Sequence, residues 1–426
     1  MLFSSIDILR ADGTVTADQF VGIKGKTIEY IGPNQPGEDY GWVYDGRGKL
    51  LAPGFINSHC HVPMTLLRGY GEGLPLDRWL KERIFPFEDQ LDGEAVYYGS
   101  LLGIAEMFAG GITGFSEMYY FCEDIARAVL ESGVSCNLSR SITAFDNTTL
   151  VGQTYYREAK ELYKRYHGAG DGRLLVDMSI HAEYTNNGPV AAKLAEFAQL
   201  NGCRMQIHLS ETKKEQEECI RRHGKTPAEF FLDQGLFSVP TTAAHCVYVT
   251  ESDMEILREK KVTVAHCPTS NMKLGSGIAP VAALLKKGIN VTLGTDGVAS
   301  NNNFDMLKEM RFAALLQNGV GGDPGLVRPA EVLHMAALAG AKGQGRENTG
   351  EIAVGKMADL VVVDCGTVNM IPCYDRAVSL VYSAKSTDIR MTLCRGTVVY
   401  EDGAYPGLDM ERIRSQVARS LGKISK

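Results

Sequence analysis

Residues 55–61 read FINSHCH and place His59 and His61 two positions apart at the end of a short apolar run. Alternate side chains of a β-strand share a face, so such a pair can aim both imidazoles at one ion. The competing reading is two incidental side chains on one strand face, because a short motif match has many chance occurrences. The other strand ends decide between these readings, and they decide the fold as well.

Seven further β-rich runs end in small or polar residues: GITGFSEM (111–118), VSCNLSRSI (134–142), LLVDMSIHAEY (174–184), RMQIHLSE (204–211), TTAAHC (241–246), VTVAHCP (262–268) and NVTLGTDG (290–297). Between them lie amphipathic stretches such as GPVAAKLAEFAQLNG and VAALLKKG, with apolar residues three and four apart and glycines at the ends. Eight strand–helix units in succession predict an α/β fold, a (β/α)8 TIM barrel over residues 55–346, rather than an open doubly wound sheet. The two ends of the chain read differently. FVGIKGKTIEYIGP (20–33) is strand–turn–strand, and GEIAVGKMADLVVVD and MTLCRGTVVYEDGAY again read as strands and hairpins. Residues 1–54 and 347–426 are therefore expected to pair into one small β-sandwich domain, with DMERIRSQVARSLGKI as a closing helix.

The chain has 426 residues, 44% hydrophobic and 22% charged, which is ordinary for a globular protein. Its 51 acidic residues against 44 Lys and Arg give a net charge of −7, and no basic cluster offsets that balance. Nucleic acid and anionic membranes are thus not expected as partners. The opening MLFSSIDILRADG lacks the basic segment and apolar stretch of a signal peptide, and no apolar run is long enough for a membrane span. None of the ten cysteines forms a Cys-x-x-Cys pair, and several sit in apolar strand-like runs as small hydrophobes. A reduced, cytoplasmic protein is expected.

Functional side chains of such a barrel gather where the strands end, at its C-terminal mouth. His59 and His61 end the first strand, His208 the fifth and His245 the sixth; Glu211 follows the fifth and Asp296 ends the eighth run. His59, His61, His208 and Asp296 suit one divalent transition metal with a position left open for water; Zn2+ is expected, with Fe2+ the alternative. A divalent ion lowers the pKa of such a water to about 7. Glu211, beside the metal rather than on it, is placed to take the water proton and pass it on, and His245 to orient the water. Taken singly, each histidine could be a core residue and Asp296 a helix cap. Glu211 could be a solvated helix start, as Glu215, Glu217 and Glu218 in the same acidic stretch are read to be. Six such groups at one rim favour the metal site.

GFINSHCH, QIHLSET, AHCVYV, SNMKLGSGIAPV and TLGTDGVASNNNFD together resemble the amidohydrolase superfamily in its deaminase and chlorohydrolase branch, and the resemblance runs through nearly the whole chain. It implies one metal on His59, His61, His208 and Asp296, a proton shuttle at Glu211 and water activation by His245. It also implies hydrolytic deamination of an adenosine-type purine nucleoside (5-methylthioadenosine, S-adenosylhomocysteine, adenosine or 5-deoxyadenosine), with Asp296 relaying a proton to the ammonia. Superfamily members that open cyclic amides bridge two metals with a carboxylated lysine at a mid-barrel strand end. The fourth strand here has no lysine, and Lys160 and Lys164 fall in a helical pattern, which favours one metal and deamination.

The resemblance further implies that Trp79 packs near the 5′ substituent, Glu88 accepts the ribose hydroxyls, and His181 contacts the purine, with Glu211 also touching it. Trp79 and Glu88 lie in the irregular first loop, residues 62–91, which is expected to cover the mouth. Arg140 falls where an amino-acid carboxylate would lie. The plain alternatives are a loop anchor for Trp79, a solvated charge for Glu88 and a rim ion pair for Arg140. A second arginine implied for the loop after the third barrel strand is missing, since SITAFDNTTLVGQTYY has none before Arg157. The rival readings are an aminohydrolase or chlorohydrolase acting on guanine, cytosine or an s-triazine, and a non-catalytic scaffold. The resemblance also suggests a homo-oligomer.

Overall fold

The structure is a computed structural model that describes residues 1–144, 150–186 and 188–424, apart from the side chains of 150–153. Five strands open the chain: β1 (Leu2–Leu9), β2 (Val15–Lys24), β3 (Thr27–Gly32), β4 (Val43–Asp45) and β5 (Lys49–Pro53). Eight follow, β6 (Phe55–Cys60), β7 (Ile112–Tyr119), β8 (Ser135–Arg140), β9 (Leu174–Ile180), β10 (Met205–Leu209), β11 (Thr241–His245), β12 (Thr263–His266) and β13 (Asn290–Leu293). The last three are β14 (Leu360–Asp364), β15 (Ile389–Cys394) and β16 (Thr397–Glu401).

Strands β6 to β13 pair in chain order, all parallel, and form the (β/α)8 barrel that the eight runs predict. Every residue of β6, β7 and β8 is buried. That follows from a parallel sheet covered on one face by helices and filled on the other by its own side chains. The ring closes between its first and last strands through polar groups. Asp296 donates its N–H to the His59 carbonyl at 2.9 Å. The Asn57 side chain donates to Thr295 Oγ1 at 2.7 Å and accepts the Thr295 N–H at 2.9 Å. Gly294 permits this approach, because a Cβ there would lie 2.9 Å from the His59 carbonyl oxygen.

The terminal strands form one mixed sheet in the order β16-β15-β14-β5-β1-β2-β3, with β4 beside β1. Its ends curl together, since Ile28 N–H reaches Lys356 O and Ala358 N–H reaches Lys26 O, both at 2.9 Å. Phe3, Ile6, Val21 and Ile28 from one half thereby meet Leu360, Val362, Met391 and Leu393 from the other, as the two layers of the expected sandwich. The alternate face, with Leu50, Ala52, Val361 and Ile389, packs into the barrel core. The closing helix Met410–Ile424 leaves this sheet and lies on the barrel: Ile413 and Val417 join the barrel core, and Arg412 Nε donates to Tyr98 Oη at 3.1 Å. None of the described helices is long and apolar enough to cross a membrane.

Asn57→Ala removes both closing bonds and strands a buried Thr295 N–H. It should cost about 2–3 kcal/mol of stability, read as a lower guanidinium midpoint. An unchanged midpoint would show that the ring closes without this side chain.

Candidate active site

The expected ligands converge at the C-terminal mouth. His59, His61 and Asp296 offer ligand atoms within 4.8 Å of one another, and so do His59, His208 and His245. His59 belongs to both sets and joins them into one centre. Asp296 Oδ1 lies 3.2 Å from His61 Nε2 and 3.6 Å from His59 Nε2. The neighbours of each ring fix its tautomer. His61 Nδ1 donates to the Met118 carbonyl at 2.7 Å and His208 Nδ1 to the His181 carbonyl at 2.6 Å, which leaves both Nε2 lone pairs for the centre. His59 Nε2 is buried with no hydrogen-bond partner, and such an orphaned acceptor beside three imidazoles and a carboxylate fits a cation.

Burial holds His59 down at about 4 and His208 well below the usual histidine range, so both are neutral ligands at pH 7. Asp296 lies well below its ordinary value: burial pushes it up, but the adjoining His59 and His61 rings outweigh that. Glu211 is raised, first by burial, and its Oε2 stands 3.9 Å from His245 Nε2. Asn271 Oδ1 lies 2.8 Å from His245 Nδ1 and turns the other ring nitrogen toward Glu211. Ser210, His245 and Asp296 all have left-handed backbone, with φ of 49°, 73° and 60°. Non-glycine residues are strained there, and such strain collects at functional sites.

A cavity opens over this cluster and is lined by His61, His208, Glu211, His245 and Asp296. Trp79, Glu88 and His181 also line it. Both Trp79 and Glu88 are buried, the latter despite its charge, and burial pushes Glu88 up to about 7. The first loop is more ordered than its sequence suggests: residues 76–88 run as a continuous helical segment, Leu76–Trp79, Leu80–Ile84 and Phe85–Glu88, with a π-turn in the middle. Arg140 does not line this cavity. It faces an adjoining cleft that shares Phe85, Glu88 and Tyr120 with it. There Arg140 Nε bonds Glu158 Oε2 at 2.8 Å, and its guanidinium sits 4.1 Å from the Tyr155 ring centre. Residues 145–149 of the loop that lacks a second arginine lie outside the described residues.

Comparison with known proteins agrees with this geometry. Residues 50–399 match the model of the amidohydrolase family. The chain belongs to that family. It is 40% identical to a 5-methylthioadenosine/S-adenosylhomocysteine deaminase of Thermoanaerobacter pseudethanolicus, over 93% of this chain and 92% of that one. It is 42% identical to a 5′-deoxyadenosine deaminase of Methanothermobacter thermautotrophicus, over 85% of this chain and 84% of the relative. A zinc-bound adenosine deaminase from Xanthomonas campestris superposes with a TM-score of 0.93 at 29% identity, covering 100% of this chain and 98% of its own.

This amidohydrolase also uses residues that the sequence reading left without a role. Ser270 Oγ and Ser300 Oγ donate to Asp296 Oδ2 at 2.6 and 2.9 Å and hold the carboxylate in place. Ser276 Oγ stands 3.4 Å from Glu211 Oε1. Ser270, Asn271 and Ser276 all come from SNMKLGSGIAPV, a stretch singled out only for its resemblance, so that segment was the available signal. One reading is corrected. Glu215 is not a surface charge: it is buried and accepts the backbone N–H of Ser210 at 3.0 Å and of Glu211 at 2.7 Å, fixing the loop that carries Glu211. Glu217, two residues on, is exposed as expected.

Replacing Ser270 and Ser300 together with Ala should leave the fold intact and weaken metal retention by about 10- to 100-fold. Competition with a chelator reads this, and unaltered retention would show that Asp296 needs no hydroxyl support.

Proposed function

We propose that this chain is a mononuclear metal-dependent hydrolytic deaminase that converts the 6-amino group of an adenosine-type purine nucleoside to an oxo group. One observation carries the reading: Glu211, His245 and Asp296 border the same cavity as Trp79, Glu88 and His181, so proton-transfer groups and nucleoside-sized walls face each other. Zinc, or Fe2+ in its place, would be held by His59, His61, His208 and Asp296. The ion supplies the field that makes water nucleophilic at neutral pH.

The protein's own groups do the rest. Glu211 takes a proton from the attacking water and delivers it to the ring nitrogen beside the amine-bearing carbon. Its burial-raised carboxyl suits a group that must both accept and release a proton. His245, held through Asn271, orients the water and the developing C–O bond. Asp296 passes the second water proton to the amine, the C–N bond breaks, and ammonia leaves as the ring carbonyl forms. His181 borders the base, Glu88 the ribose hydroxyls, and Trp79 the 5′ end.

The 5′ group is best uncharged. Arg140, in the cleft beside the cavity, is already neutralised by Glu158. A substrate carboxylate would have to displace a protein carboxylate before it gained a charge-assisted bond.

Two measurements test this reading. A nucleoside and nucleobase panel followed by ultraviolet absorbance should show turnover of 5-methylthioadenosine and 5-deoxyadenosine, with about one metal per chain. Glu211→Gln should lower kcat by about 100-fold or more with the metal retained. Turnover confined to guanine, cytosine or an s-triazine would overturn the substrate reading, and a near-native kcat in the variant the shuttle. Wild-type kcat/KM should favour 5-methylthioadenosine over S-adenosylhomocysteine by about tenfold or more, and Glu158→Gln should narrow that ratio. A ratio unmoved by the substitution would mean that Glu158 supports only the rim.

A further inference from the structure

The candidate site is covered. Glu211 and Asp296 are only 4% and 6% exposed, too little for a small-molecule substrate to reach them from outside. One stretch of chain supplies the cover: Leu76, Trp79, Leu80, Ile84, Phe85 and Glu88 all line the cavity and all lie within residues 76–88. Little but its apolar underside holds that stretch to the barrel. Among the described residues, no backbone-to-backbone hydrogen bond joins residues 71–90 to another element. Two ion pairs make the polar ties. Lys214 Nζ reaches Asp77 Oδ2 and Lys273 Nζ reaches Glu72 Oε1, both at 2.7 Å.

The stretch also has joints at its ends. Arg68, paired with Glu106, anchors the chain before it, and Asp92 caps the helix Gly93–Ala109 after it. Just beyond Arg68 come Gly69, Gly71 and Gly73, with φ of 74°, 80° and 77°. Gly69 and Gly73 have open space where a Cβ would stand, so packing does not demand glycine there and backbone freedom does. Between the joints the stretch is tied to itself. The Tyr70 and Phe87 rings stand 5.2 Å apart, and Arg78 pairs with Glu82 at 2.6 Å. The π-turn Leu80–Ile84 sits in its middle, an irregularity that often marks functional sites.

We propose that residues 69–91 are a hinged lid, latched over the cavity by Asp77–Lys214 and Glu72–Lys273 and opening about the glycines to pass substrate and product. Both latches end on loops that carry the site. Lys214 stands three residues after Glu211, and Lys273 three after Ser270, the serine that bonds Asp296. Both pairs reach the surface, where ion pairs are weak and screened by salt. A latch that releases in every catalytic cycle has to be weak. Such a lid serves any small-molecule substrate, so it does not rest on the deaminase reading.

Trp79 reports the motion. It is 5% exposed on the lid, and the second of the two tryptophans, Trp42, is 50% exposed elsewhere. In metal-loaded Trp42→Phe protein without substrate, acrylamide quenching of Trp79 fluorescence measures opening. Raising sodium chloride from about 0.01 M to about 1 M shortens the Debye length from about 30 Å to about 3 Å. The quenching constant should then rise about twofold or more, as expected when weak surface pairs are screened. Asp77→Asn with Glu72→Gln should reach the high-salt value already at low salt, with Tm unchanged. Asp77→Lys should open the lid in the same way, and adding Lys214→Asp should close it again. Quenching that ignores both salt and the double substitution overturns the proposal. A rise matched by a fall in Tm also overturns it, since that is general loosening rather than a lid.

Discussion

The structure depends on the junction between β13 and β6. Asp296 serves both backbone and site: its N–H closes the ring on the His59 carbonyl, and its carboxylate stands between His59 and His61. Closing the barrel and assembling the ligand set are thus one event. A loosened seam would separate Asp296 from the two histidines before any other part of the mouth changed, because β6 and β13 bring them together from opposite ends of the barrel sequence. The left-handed backbone at Asp296 is the cost of turning the carboxylate inward directly after the strand, and the Ser270 and Ser300 hydroxyls hold it there.

The barrel was legible because a parallel strand is apolar on both faces and turns polar only where it leaves the sheet. FINSHCH, QIHLSET and NVTLGTDG each show that transition, so strand ends and site residues could be read from the same letters. The terminal sheet was legible in outline, through its hairpins. Its curl was not, because the bonds of Ile28 and Ala358 join backbone groups about 330 residues apart and leave no mark on composition.

Polar support around the site was the least legible part. A serine that orients a carboxylate looks like any loop serine, so Ser270 and Ser300 carried no signal of their own. Glu215 was misread for a related reason: an acid in the first helical turn has the same pattern whether it faces water or folds back over the preceding loop. Arg140 shows the opposite difficulty. Its position at the end of β8 was correctly placed on the rim, but its direction depends on Glu158, Tyr120 and Tyr155, which come from other elements.

Glu215 also belongs to a larger arrangement. Three buried glutamates clamp three of the loops that leave the barrel strands. Glu117 accepts the Val62 N–H after β6 at 2.6 Å, Glu215 accepts Ser210 and Glu211 after β10, and Glu309 accepts the Thr269 N–H after β12 at 3.1 Å. Burial raises all three, to about 8, 7 and 7. Glu215 and Glu309 accept through both oxygens, Glu309 also from Asn301 Nδ2 at 2.9 Å, which a neutral amide with a single acceptor oxygen could not do. Each lies near the ligand cluster, and Glu117 Oε1 comes within 4.0 Å of His61 Nδ1. In their ionised form, acids placed there balance the positive charge that the three imidazoles and Asp296 are arranged to hold. The same side chains therefore fix the loops and shape the field of the mouth, and a barrel rim rich in buried acids is what a cation centre requires of its surroundings.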